Sequence, residues 1–217
     1  MDGLKKHKIK KITFGIIGLV IIPFYSYCFS LNGPKGDLIL VTFSQIGARY
    51  GAIENLILWG ILSSFFYFSI IDYMIYLSDT KIPILKVFLS LSCLSLLITV
   101  FLPFAPTMFP IASETHNLLA YVTTVAIILT LLTFLFSFWN RDRNLFYKSF
   151  FLLLVIILVL IFLFINYGVN SLFQIILSTS LCLYMFLELC FLEGSSKIDI
   201  YQKLKTEDER EEIEDLF

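Results

Sequence analysis

Residues 149–167 read SFFLLLVIILVLIFLFINY, nineteen positions without a charge. At ~1.5 Å per residue, a helix of this length crosses a hydrocarbon core of roughly 30 Å. In lipid the backbone must satisfy its own hydrogen bonds, so the stretch predicts a transmembrane helix. Strict alternation, the mark of a membrane β-strand, is absent. Working outward, five more stretches of the same kind appear: Ile12 to Leu31, Ala52 to Leu77, Pro83 to Phe104, Glu114 to Trp139 and Ser171 to Leu192. The fold class is therefore an all-α membrane protein, a bundle of six transmembrane helices. Residues 1–193 form that domain and residues 194–217 an acidic tail.

Composition agrees. Charged residues make up 15% of the 217, against about 25% in soluble domains. A water-soluble chain of this size could not hide 23 Phe and 11 Tyr along with its aliphatic runs. Lysine and arginine placement predicts the orientation. With the N-terminus in the cytoplasm, fourteen of these residues fall inside, from Lys5 to Arg210, and only Lys35 and Arg49 fall outside. Both termini are then cytoplasmic, in a multi-pass protein of the cell membrane. The first span follows the basic run KKHKIKK but lacks a small-residue cleavage site, so it reads as a retained helix and not a signal peptide.

Ionisable residues at membrane depth mark candidate sites. An outer group comprises Arg49 and Glu54 at the start of span two, with Glu114, His116 and Asn117 opening span four. Glu114 is expected in the first turn of its helix, where the macrodipole favours an acid. His116, Ala120, Thr123, Thr124 and Ile127 share one helical face with small and polar members, which suits a bundle interior. Two readings follow. The residues pair with one another and with headgroups, or they form a shallow outward pocket. In the second, Arg49 takes a phosphate or carboxylate and His116 is a ligand or proton carrier. An inner group comprises Asp72, Lys86, Lys148 and Glu188, read as charge pairing or as an ion path. Ser92, Ser95 and Thr99 form a polar stripe, as do Ser171, Gln174, Ser178 and Cys182, read as helix contact or as a lined cavity.

No nucleophile–base–orienter spacing is recognisable, so no catalytic residue is assigned. Metal-ligand clusters, Gly-rich phosphate loops and basic nucleic-acid faces are missing, and neither cofactor nor nucleic acid is expected. Cys28, Cys93, Cys182 and Cys190 are expected as free thiols. The segment Asn32 to Gly51 is semi-apolar and is expected to dip back onto the bundle. Thr206 and Glu209 fit a capping box, and the tail TEDEREEIEDLF offers a docking segment for a basic protein partner.

The stretch FSQIGARYGAIENLILWGILSS, residues 43–64, resembles the signature of an uncharacterised prokaryotic six-helix family. That family is similar in architecture to the DRAM/Frag/Sfk-type membrane proteins. Its first-loop pattern falls on Ser44, Ile46 and Gly47. Its second falls on FPIASETHNLLAYV, residues 109–122, at Pro110, His116 and Asn117. The family's eukaryotic relatives are linked to lipid organisation, lipid-anchor remodelling and autophagy and not to a settled reaction, and both motifs point to the same outer cluster. The leading expectation is a non-enzymatic protein that binds a membrane lipid or a partner through that cluster. The alternatives are a small transporter or accessory permease subunit, and an intramembrane lipid-modifying enzyme using Glu114 and His116.

Overall fold

The computed structural model describes residues 3–34, 37–195 and 200. The Thr206–Glu209 capping box and the acidic docking tail lie outside the described residues. Helices in chain order are α1 (Gly3–Ile16), a π turn (Ile17–Ile21), α2 (Ile22–Ser30), α3 (Phe43–Arg49), α4 (Ile53–Ser78), α5 (Pro83–Phe101), α6 (Pro110–Phe136), α7 (Arg143–Tyr167) and α8 (Ser171–Glu193). The described residues contain no strand. Six helices are long and apolar enough to cross a membrane, with Gly3–Ser30 counted as one. This is the architecture of a multi-pass helical membrane protein.

Local chemistry sets the boundaries. The first long helix starts at Gly3, earlier than Ile12, because its lysines are good helix formers that carry their charge away from the apolar face. Pro23 has no N–H for the carbonyl four residues back, and the π turn just before it absorbs that loss. α5 stops at Phe101, not Phe104, because Pro103 drives Leu102 into extended backbone. α6 starts at Pro110, where proline suits the first helical position, so Glu114 lies beyond the first turn. The Asp142 carboxylate accepts from Asn144 N and Leu145 N, each at 3.0 Å, and starts α7 ahead of Ser149.

α4 sits at the centre, packed against α2, α5 and α8, while α5 and α6 form the closest hairpin. A Cβ at Gly60 would lie 2.5 Å from Val100 Cγ1, so α4 and α5 approach closely only because this position lacks a side chain. α7 is peripheral. It packs on α8, touches α6 lightly, and turns most of its apolar surface outward.

The connection from α2 to α4 does fold back onto the bundle. Val41, Phe43 and Ile46 are buried within it. Its carbonyls take the first N–H groups of α8, Ser171 N to Val41 O at 2.7 Å and Leu172 N to Leu38 O at 3.0 Å. These donors have no partner inside their own helix, so the loop caps α8 from outside. Phe43 meets Phe29 and Trp59 edge to face, with centroids 5.0 and 5.2 Å apart. α3 is thereby fixed over the end of the bundle.

Candidate functional site

Two residues remote in sequence meet at this end. Ser44 Oγ lies 2.6 Å from His116 Nε2. Thr42 starts α3 with a reciprocal capping box to Gln45, which fixes the turn that carries Ser44. Gly47 fixes its seating. A Cβ there would stand 3.0 Å from Leu56 Cδ2, so α3 can lie directly on α4. Gly47 thus has a packing role at this contact.

His116 is 2% exposed. Its Nδ1 lies 3.3 Å from Leu102 O. Proline at 103 ends α5, which leaves this carbonyl outside the helical ladder. A carbonyl only accepts, so Nδ1 carries the proton and donates it to Leu102 O. Nε2 is then the unprotonated nitrogen, and the Ser44 hydroxyl donates to it. The Phe104 ring flanks the imidazole at 5.2 Å between centroids.

The pair stands at one end of a cavity of about 120 Å³. α3 contributes Phe43 and Ser44 to its wall. α4 contributes Leu56, Trp59 and Tyr67, and α5 Ser92, Leu96, Thr99 and Val100. α6 contributes His116, Ala120, Thr123, Thr124 and Ile127, and α8 Gln174, Leu177, Ser178 and Leu181. The whole face of α6 that sequence periodicity singled out lines this space. Both polar stripes contribute as well, through Ser92, Thr99, Gln174 and Ser178. Thr123 and Thr124 turn their hydroxyls onto carbonyls one turn back, at 2.9 and 3.0 Å, and offer the cavity their methyl groups. The wall is therefore more apolar than its composition reads. Gln174 accepts from Phe43 N at 2.7 Å through Oε1. Its amide nitrogen finds no protein acceptor among the described residues. Trp59 Nε1 donates to Ser26 Oγ at 2.9 Å, which leaves the indole face toward the cavity.

α6 and α8 both line the space yet scarcely touch each other. Ala120, Thr123, Thr124, Gln174 and Leu177 are half-exposed although they face inward. The cavity is thus open along the α6–α8 seam.

Other residues singled out by sequence are placed differently. Arg49, Glu54, Glu114 and Asn117 are exposed, with no ion pair among the described residues. Glu114 is two positions from His116, about 200° around the helix, so the two side chains point apart. In the group expected on the inner side, Lys86 Nζ lies 3.3 Å from Asp72 Oδ1 in an exposed pair. Lys148 is exposed and joins neither. Glu188 is wholly buried. Ser149 faces it from α7, and Tyr184 lies one turn back on α8. Among the described residues these side chains have no partner other than one another. All four cysteines are free, and the described residues contain no cluster of three or more metal-ligating side chains.

Sequence reasoning treated His116 and Ser44 as neighbours in depth and missed their direct bond. Each stood in one of the two motifs quoted above, but nothing in a sequence separation of 72 residues sets their distance. It also missed a second cluster. His7 Nδ1 lies 2.6 Å from the Tyr73 hydroxyl and His7 Nε2 lies 2.5 Å from Glu193 Oε1. Lys11 pairs with the same carboxylate, and Lys10 stands 4.7 Å over the Tyr73 ring.

No protein-family model matches this chain, and no match is found among the curated proteins or the solved structures.

Proposed function

We propose that this protein is a multi-pass membrane protein that takes an apolar lipid chain into the α4–α5–α6–α8 cavity. The lipid's polar group sits at Ser44, His116 and Gln174. The observation that carries this reading is an apolar-walled space, open along one helix seam, that ends in a hydrogen-bonded polar pair. Cavities of roughly 150 Å³ with apolar walls hold benzene-sized groups, so about 120 Å³ suits a segment of one chain. The α6–α8 seam opens sideways, which lets a chain enter without leaving the apolar phase. On the lysine and arginine asymmetry, the Ser44 end faces away from the cytoplasm. The two motifs of residues 43–64 and 109–122 supply the two ends of the Ser44–His116 bond, which supports a shared site.

Ala120→Trp fills the cavity from a half-exposed position. Native mass spectrometry of protein released from nanodiscs is expected to show retained lipid falling at least about tenfold, roughly 1.4 kcal/mol. Retention equal to the parent protein's would overturn the proposal.

A further inference from the structure

We propose that Ser44 is a nucleophile and His116 its general base, and that together they transfer the acyl group of a membrane-lipid ester. The inference rests on the lipid-cavity reading and extends it from binding to chemistry.

Three features of the pair are needed for this chemistry. First, a serine hydroxyl attacks only when a base can take its proton, and Ser44 Oγ at 2.6 Å from Nε2 meets that condition. Second, the base must present the correct nitrogen. The Leu102 carbonyl holds the Nδ1 proton, so Nε2 is fixed as the acceptor. An imidazole held by a backbone carbonyl is oriented as a triad carboxylate would orient it, without a buried charge. Third, the substrate must reach the pair. Ser44 is half-exposed, and the cavity leads from it between the helices. His116 lies six residues inside the start of α6, about 9 Å along the axis. That depth suits the ester carbonyls of a glycerolipid, which join headgroup to chain. The uncommitted Gln174 amide lines the same space and is a donor of the kind that stabilises an oxyanion.

The step balances with water as its one co-reactant. Ser44 Oγ bonds to the ester carbonyl carbon as its proton passes to His116 Nε2. The carbon–oxygen bond to the lipid alcohol breaks, and that proton leaves with the alkoxide as an alcohol. Water then attacks the acyl-serine, gives one proton to Nε2, and releases the fatty acid as Ser44 recovers the proton.

The experiment is active-site labelling of the full chain in nanodiscs with a long-chain alkyl fluorophosphonate, read by intact mass and peptide mapping. It needs no acceptor. One adduct on Ser44 is expected, absent in Ser44→Ala and slowed about 10²–10⁴-fold in His116→Ala. Hydrolysis of a fluorescent long-chain ester should fall to the empty-nanodisc rate in Ser44→Ala. The thermal unfolding midpoint of each variant serves as the folding control, and lipid retention is measured on the parent protein. Retained lipid without an adduct on Ser44, or an adduct elsewhere, overturns the nucleophile and leaves the binding reading intact. Loss of both in the parent protein overturns both.

Discussion

The chain has two histidines, and they sit at opposite ends of the bundle in opposite circumstances. His7 has a strong partner on each ring nitrogen. Tyr73 and Glu193 take its two nitrogens, Lys11 shares the carboxylate, and the cluster ties α1 to α4 and α8. His116 has a hydroxyl on one nitrogen, a backbone carbonyl on the other, and open space beside it. The same imidazole thus serves as a fastener where charges saturate it, and as a poised base where only neutral groups orient it. Burial does not separate the two, since His7 is 5% exposed and His116 2%. Nor does open space, since His7 also borders a groove between α1 and α8. What separates them is the partners, a carboxylate shared with a lysine at His7 and only neutral groups at His116.

The contrast breaks most easily at the histidines themselves. His7→Ala should leave fluorophosphonate labelling of Ser44 within about twofold, whereas the same change at His116 removes most of it. Equal losses in both variants would mean that His116 acts only through stability. The next effect is smaller. Glu193→Ala takes the shared acceptor from His7 and Lys11 and leaves a buried donor unsatisfied. That costs about 1–3 kcal/mol. The thermal unfolding midpoint should drop by roughly 2–4 °C per kcal/mol, with labelling kept. A midpoint unchanged within 1 °C would show that the cluster is not a fastener. The smallest effect belongs to Asp72→Asn. Its pair with Lys86 is exposed, so the loss should stay below ~1 kcal/mol and shrink further in high salt. A loss as large as that of Glu193→Ala would mean the surface around Asp72 and Lys86 carries a charge network.

Some of this was legible before any coordinates. The face running from His116 to Ile127 on α6 follows from a 3.6-residue period, and every member of it lines the cavity. The polar stripes of α5 and α8 follow in the same way. The expectation of an outer charged cluster had a different fate. Position along the helix gives depth, and Arg49, Glu54, Glu114 and His116 do lie near one end. Azimuth decides whether side chains meet, and it turns Glu114 away from His116. Glu188 shows the same gap. Its depth was readable, but its burial beside Ser149 and Tyr184, away from Lys86 and Lys148, depends on how α7 packs on α8.

Sequence alone determined six helices, because apolar length is a property of a segment and lipid leaves the backbone no other choice. It also determined which faces turn inward, because helical period is local. Only tertiary structure decided that the serine of the first loop reaches the histidine of α6. That distance depends on the fold-back of residues 37–49 onto α8, the close seating at Gly47 and the carbonyl freed at Leu102, contacts between different elements that no local period sets.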